Sequence, residues 1–489
     1  MALTRIEKTL LNVFLSVAAH AGLQIARITP VRHAAVEAID RWIAEDARRA
    51  CMRGEYPARV NQDRSRMAMA LVHSIERGLV NGYLSPEVVH RLIENLVRGI
   101  LVEQGDREAA NQFRARFGVF PPSFLVISPG KACNLHCAGC YADAGKASEK
   151  LEWPVFDRII SEAKRLWGAR FFVISGGEPM AYRSQGKTLL DMVEKHKDCF
   201  FLMYTNGTLI DERMARRLAE IANLTPAISV EGLRSSTEAR RGEGVYDRIL
   251  EAMGHLRRAG VPFGISLTAT RQNVEEILSD EVIDFYFEKQ GALYGWIFHY
   301  MPIGRSFTLD LMPTPQQRLW MWRRSWELIR ERDIFLADFW NHGTASYGCI
   351  SAGQYKGGGY FYVDWNGAVT PCVFLPFSPV NIHDVYARGQ DLNDIWREPF
   401  FASIRRWQDN YQRGNGRRGN WLAPCIIRDH YADLRPMLAQ YEPDPIDANA
   451  RMALQDAAYG EGLAAYGAAY EAISGKIWRE DYLGEDTDR

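Results

Sequence analysis

The chain has 489 residues, with 59 basic against 60 acidic side chains, a net charge of −1, and 47% hydrophobic and 24% charged residues. That length predicts two to four domains with a sizeable core, and the charge balance leaves no electrostatic footprint for a nucleic-acid partner. Eight cysteines in a chain of this size, with no secretory signal expected, point to metal or redox chemistry in a reducing cytoplasm rather than to disulfides.

Residues 10–28 are apolar-rich but interrupted by Asn12, Ser16, His20 and Gln24, which argues against a spanning helix, and they lack a small-residue cleavage site. Leu11, Phe14, Leu15, Ala18, Gly22 and Ile25 share a helical face. Two placements fit that face: docked on the protein's own core, or lying on a membrane surface with Arg5, Lys8 and Arg27 at the interface. Residues 1–118 read as a helical region. Val36, Ile39, Trp42 and Ile43 form one expected stripe, and Met67, Leu71, Val72, Ile75 and Leu79 another. Ser85-Pro86 is a helix start, followed by Val89, Leu92, Ile93 and Leu96 at helical spacing. Cys51 reads as a semi-buried thiol in a helix. Pro121-Pro122 then closes the helical segment.

From residue 123 short apolar runs alternate with amphipathic helices. The runs are 124–128, 171–175, 200–205, 226–230, 263–268 and 294–300, and the helical patterns lie near 154–167, 187–197, 209–222, 245–259, 273–289 and 315–332. This alternation specifies right-handed βαβ units and a parallel sheet. Six repeats are too few to close an eightfold barrel. Directly after the first run come Cys133, Cys137 and Cys140, three thiols within eight residues. Soft thiolates suit zinc, copper(I) or an iron–sulfur cluster. Structural zinc usually takes four closed ligands, and no fourth lies at that spacing, His136 being expected to face solvent. A cluster on three cysteines keeps one iron open.

Cys133-x-x-x-Cys137-x-x-Cys140, followed by the aromatic Tyr141, resembles the signature of the radical S-adenosylmethionine superfamily. The resemblance implies an α/β fold, a partial (β/α)6 barrel over 119–335, in which a [4Fe–4S] cluster binds S-adenosylmethionine and its reductive cleavage gives a 5′-deoxyadenosyl radical. Gly176-Gly177-Glu178-Pro179, after the second run, is similar to the family motif that holds the cofactor's amino group. Thr205-Asn206-Gly207 and Ser229-Val230-Glu231-Gly232 match strand ends that line the ribose and methionine moiety. Arg241 resembles the arginine that pairs with the cofactor's carboxylate. Thr268 and the Met301-Pro302-Ile303-Gly304 turn complete the set near the adenine.

Residues 336–445 resemble a small SPASM/twitch-like domain that holds an auxiliary iron–sulfur cluster. Tyr360–Val363, a turn at Asp364-Trp365-Asn366-Gly367 and a second strand read as a hairpin between Cys349 and Cys372, and Leu392–Trp396 also resembles the extension. Lys356-Gly357-Gly358-Gly359 is not a phosphate loop, because a strand follows where a helix is needed. The sequence departs from the full pattern: of the downstream cysteines only Cys425 remains. One auxiliary cluster, expected to be [4Fe–4S], is left with Cys349, Cys372 and Cys425 as ligands, and Asp429, His430, substrate or water at the fourth site. Cys199 is expected in the core. Residues 446–489 form a helical tail with Tyr459, Leu463, Tyr466, Tyr470 and Ile473 on one face.

The expected enzyme takes electrons from a flavodoxin or ferredoxin and removes hydrogen from an unactivated C–H bond. The apolar 10–28 segment and the aromatic load of 306–347 (Phe307, Trp320, Trp322, Trp326, Phe335, Phe339 and Trp340) tilt the substrate toward a hydrophobic or lipid-like molecule. The alternative within the superfamily is maturation of a ribosomal peptide. Outside it, the alternative is a structural metal-binding scaffold. The expected location is cytoplasmic, with contact to a membrane surface through 10–28 as an option.

Overall fold

The computed structural model describes residues 29–85, 88, 104–413 and 419–485. The expected 10–28 helix and the stripe at Val89, Leu92, Ile93 and Leu96 lie outside them. The six apolar runs become six parallel strands: β1 (Phe124–Ile127), β2 (Phe171–Ile174), β3 (Phe200–Thr205), β4 (Leu224–Val230), β5 (Gly264–Ala269) and β6 (Tyr294–His299). They pair in chain order through β1, β2, β3, β4, β5 and β6. The intervening segments are helical for the expected reasons. Trp153–Trp167 has a proline in its first turn, buries Phe156, Ile159, Ile160, Ala163 and Trp167, and ends on left-handed Gly168.

The sheet continues past both edges of this repeat. β7 (Leu336–Asp338) adds a seventh parallel strand beside β6, a strand too short to read from the sequence. At the other edge β8 (Tyr360–Val363) pairs in parallel with β1, Phe124 opposite Tyr360 and Ile127 opposite Val363. The hairpin partner β9 (Ala368–Thr370) and then β10 (Val380–Asn381) follow antiparallel. The hairpin was legible in the sequence; its joining of the barrel sheet was not, because a strand's second partner is set by tertiary packing.

Period-two alternation divides each strand between two environments. Leu125, Ile127, Phe172, Ile174, Phe201, Met203, Ile265, Leu267 and Ile297 are fully buried in the main core, shared with the helices. Their alternates face the sheet's concave side and line a cavity described below.

The amino-terminal helices Thr29–Arg53 and Ala58–Val80 pack on each other, with His73 2.8 Å from Asp40. Their buried faces differ from the expected stripes. Val36 and Ile43 are buried but Trp42 is exposed, and the second helix buries Val60, Met67, Ala70, Ser74 and Gly78 while Leu71 and Ile75 face outward. Polar anchors set this rotation: Asp63 accepts hydrogen bonds from Arg330, Thr344 and Tyr482, and Ser74 accepts the Phe335 N–H. The tail helix Ala457–Ile477 buries Tyr459, Leu463 and Tyr470 as expected, and the Tyr459 hydroxyl donates to the Pro302 carbonyl at 3.2 Å. Among the described residues, no helix is long and apolar enough to cross a membrane.

Candidate active site

Cys133, Cys137 and Cys140 lie in the loop beyond the carboxyl end of β1, where the chemistry of parallel α/β sheets is placed. Neighbours brace the loop on three sides. From the end of β2, the Gly177 N–H donates to the Gly130 carbonyl at 2.9 Å and the Glu178 N–H to the Ala132 carbonyl at 2.8 Å. From beyond β6, the Arg305 N–H donates to the Cys140 carbonyl at 2.9 Å. The Arg305 guanidinium reaches the Cys137 and Ala144 carbonyls and pairs with Asp143. From the helix Arg234–Arg241, Arg240 donates through Nε to the Ala138 carbonyl at 3.1 Å. Two approaches are so close that a Cβ does not fit. One on Gly177 would lie 2.2 Å from the Ala132 carbonyl oxygen, and one on Gly304 2.1 Å from that of Tyr141.

Tyr141 locks the loop to β2. Its hydroxyl sits 2.6 Å from Ser175 Oγ and accepts the Gly176 N–H at 3.0 Å. Burial pushes the Cys133 thiol up to about 11, and its sulfur accepts the Leu135 N–H at 3.4 Å and the Asn206 amide at 3.8 Å. His136 is exposed, as expected.

Glu178 has partners other than the ones expected. Its buried carboxylate accepts the Thr205 hydroxyl at 2.7 Å and the Met180 N–H at 3.0 Å on one oxygen, and the Asn206 N–H at 2.8 Å on the other. It clamps the end of β3 to the end of β2, and neither Glu178 nor Pro179 is among the residues lining the cavity.

Glu231 is fully buried and receives two guanidinium groups. Oε1 accepts Arg240 at 2.5 Å and Arg241 through Nε at 2.9 Å, while Oε2 accepts the Thr268 N–H at 3.1 Å. Two arginines on one carboxylate leave a net positive charge, and both arginines border the cavity.

Among the described residues, no three His, Cys, Asp or Glu side chains converge to hold a single metal ion. The three loop cysteines belong to the lining of a cavity of about 250 Å³. Its lining includes Tyr141, Gly176, Gly177, Thr205, Asn206, Ser229, Arg241, Thr268 and Met301 from the expected set. The rest of the wall is largely aromatic and aliphatic: Phe124, Val126, Phe171, Val173, Leu202, Tyr204, Trp296, Phe298, Phe339, Tyr360, Val373 and Phe374. Arg240 and Arg241 are the formally charged side chains of the lining. His299 is kept neutral, burial pushing it down to about 4.

Cys349, Cys372 and Cys425 also come together. Burial pushes Cys372 up to about 12 and Cys425 higher still, with Asp429, Cys349 and Cys372 adding to the shift of Cys425. The β8–β9 register carries Cys372 back to the level of Tyr360, at the amino end of β8, while Tyr360 itself takes its N–H bond to the Ile350 carbonyl. This second group therefore lies toward the opposite end of the strands from Cys133. The fourth-ligand candidates are engaged elsewhere: Asp429 with Arg318 and the Cys425 N–H, His430 with the Ala423 carbonyl at 2.9 Å. Cys199 is fully buried in the core and Cys51 lies in the helix Thr29–Arg53.

Residues 127–280 match the Radical SAM superfamily and residues 349–420 the SPASM iron–sulfur cluster-binding domain. The chain carries a radical SAM domain followed by a SPASM domain. It is similar to the AdoMet-dependent heme synthase of Methanosarcina barkeri, 26% identical over 306 residues, 56% of this chain and 82% of that one. The Fe-coproporphyrin III synthase of the same organism is 29% identical over 155 residues, which span 31% of this chain but only 38% of that protein. The sporulation killing factor maturation protein SkfB of Bacillus subtilis is 23% identical over 269 residues, 51% of this chain and 60% of SkfB.

A radical SAM domain binds a [4Fe–4S] cluster with S-adenosylmethionine, and a SPASM domain binds additional iron–sulfur clusters. The residues fit both. Cys133, Cys137 and Cys140 line one cavity together with a net cationic pair, and half-buried Cys349 and Cys425 with buried Cys372 form a second thiol group. Sequence reasoning missed Arg240 and Arg305, although each adjoins a residue it named. It also missed the cavity wall, because the aromatic side chains come from strand positions scattered over more than two hundred residues.

Proposed function

We propose that this radical SAM enzyme removes a hydrogen atom from an unactivated C–H bond of a hydrophobic substrate held in the barrel interior. Cys133, Cys137 and Cys140 would hold the first cluster, and Cys349, Cys372 and Cys425 the second. When bound, the first cluster supplies the electron that cleaves S-adenosylmethionine to a 5′-deoxyadenosyl radical, drawn from a carrier of the flavodoxin or ferredoxin kind. Arg241 and its neighbour Arg240 offer the positive charge for the cofactor's carboxylate. The Gly176-Gly177 backbone borders the cavity without side chains to obstruct it, and Thr205, Ser229 and Thr268 provide hydroxyls along its rim.

The observation that carries the substrate class is the wall of the cavity. Its apolar and aromatic side chains come from β1, β2, β3, β6 and β8 and from the segments beside them. Taking a charged group into such a wall without a partner costs several kcal/mol, whereas an apolar chain or ring gains about 25 cal/mol for each Å² it hides from water. The same wall keeps water from the reacting carbon.

Peptide maturation is the second reading, favoured by the similarity to SkfB. One assay separates the two. Reconstituted enzyme is given perdeuterated membrane lipid extract or a pool of short peptides, and deuterium is sought in 5′-deoxyadenosine. Label from the lipid extract, lost in Phe298→Asp while background cofactor cleavage persists, supports the hydrophobic substrate. Stimulation by peptides alone overturns it.

A further inference from the structure

The second cysteine group has hydroxyl neighbours of its own. The Tyr360 hydroxyl is 3.1 Å from Cys372 Sγ, and Ser351 Oγ is 3.1 Å from Cys349 Sγ. All four side chains are buried or half-buried, with Tyr360 1% exposed and Ser351 3%. We infer that Tyr360 and Ser351 are built-in hydrogen-bond donors to the thiolates of the second cluster and raise its affinity for an electron. The inference rests on the reading that Cys349, Cys372 and Cys425 hold that cluster.

The direction of both bonds follows from proton counting. A cysteine bound to iron is a thiolate and has no proton to give, so the hydroxyl must be the donor in each pair. For Ser351 the surroundings agree with this. Its oxygen receives the amide of Gln408 at 3.2 Å, and that amide is itself pinned to the Ser351 carbonyl at 3.0 Å. The serine oxygen thus already accepts one hydrogen bond, and its own proton is free to be given to the sulfur. For Tyr360 the placement comes from the sheet. Its ring stacks on Phe124 across the β1–β8 pairing, centroids 5.1 Å apart and planes within 12°, and this holds the hydroxyl at the level of Cys372.

Hydrogen bonds to cluster sulfurs offset negative charge on the ligand set, which grows when the cluster is reduced. Two such bonds on two of three thiolates shift the reduction equilibrium toward the reduced form. Tyr360 has a second face. Its ring belongs to the cavity wall, so one side chain touches both the proposed substrate chamber and the sulfur of Cys372.

The test uses the full-length protein with Cys133, Cys137 and Cys140 replaced by Ala, so that only the second cluster is reconstituted, and follows its reduction by electron paramagnetic resonance during a potentiometric titration. Tyr360→Phe keeps the ring and removes the hydroxyl; Ser351→Ala does the same for serine. Each variant should retain about four irons and show the equilibrium constant for one-electron reduction lowered about tenfold, equivalent to about 59 mV. An unchanged potential in Tyr360→Phe with iron retained overturns the inference, and so does loss of iron in Tyr360→Phe, which would make the residue a ligand or a structural prop. Iron retained when Cys349, Cys372 or Cys425 is replaced would instead refute the ligand reading beneath it.

Discussion

Glu231 grips Arg241 through a single carboxylate oxygen, Oε1, with Arg241 Nε at 2.9 Å and Nη2 at 2.5 Å. Because Arg240 shares that oxygen, the carboxylate orients both guanidinium groups but neutralises only one charge. The remaining charge borders the cavity beside the cysteine loop. An arginine fixed in this way is pre-organised for a planar carboxylate.

The first prediction follows from that pairing. A hydrogen bond to a charged group contributes about 1.5–3 kcal/mol, so Arg241→Ala should weaken S-adenosylmethionine binding at least about tenfold. Isothermal titration of reconstituted protein checks this, and an unchanged affinity removes Arg241 from the cofactor site.

Glu178 gives a prediction that separates a structural role from the role its motif suggests. Its carboxylate already accepts three donors, from Met180, Thr205 and Asn206. In Glu178→Gln one amide hydrogen must face a donor, leaving buried groups unsatisfied at a cost of about 1–3 kcal/mol. The denaturant midpoint should fall and hydrogen exchange at Asn206 should rise. A variant of unchanged stability that binds S-adenosylmethionine poorly would return Glu178 to the role the motif suggested.

The third prediction uses the two glycines against the cysteine loop. Ala at Gly177 or Gly304 puts a methyl group 2.2 or 2.1 Å from a loop carbonyl oxygen, and a well-packed backbone has no slack to absorb this. Both variants should lose about four irons per chain and the ability to cleave S-adenosylmethionine, while the second cluster's spectrum persists. Full iron content in either variant would show that the loop can shift freely.

The fourth concerns pH. His299 sits between Asp338, 2.9 Å from Nε2, and Arg428 at Nδ1, and burial pushes its pKa down to about 4. Unfolded, a histidine takes up its proton near 6.5, so between 6.5 and 4 the unfolded chain binds more protons at this residue. The contribution of His299 to stability is present above 6.5 and lost as pH falls through that window, by about 1.4 kcal/mol per pH unit. The stability difference between the native chain and His299→Gln, measured by urea unfolding at pH 7, 6 and 5, should shrink accordingly. A difference that grows on acidification contradicts a neutral buried imidazole.

Much of the site was legible because it is local. Cys133, Cys137 and Cys140 fall within eight residues, and each strand end carries its motif a fixed step beyond an apolar run. Where reading failed, the cause was a partner distant in sequence. The bonds that Glu178 accepts from Thr205 and Asn206 were not legible, because those partners belong to the next strand. The second amino-terminal helix was given the wrong buried stripe because Leu71 and Ile75 outrank Ala70, Ser74 and Gly78 in hydrophobicity, while the contacts of Asp63 and Ser74 with the barrel decide its rotation.

What the sequence by itself determined is the repeating strand–helix order, the three-cysteine loop after the first strand and the separation of two thiol groups, since these depend on period, spacing and residue chemistry along the chain. What only the tertiary structure decided is which groups face which. It set the parallel pairing of Tyr360–Val363 with Phe124–Ile127, the sharing of Glu231 between Arg240 and Arg241, and the assembly of one apolar cavity from side chains between Phe124 and Phe374. Alternation along a strand fixes that successive side chains face opposite ways; only the curvature and register of the assembled sheet determine which side becomes the cavity.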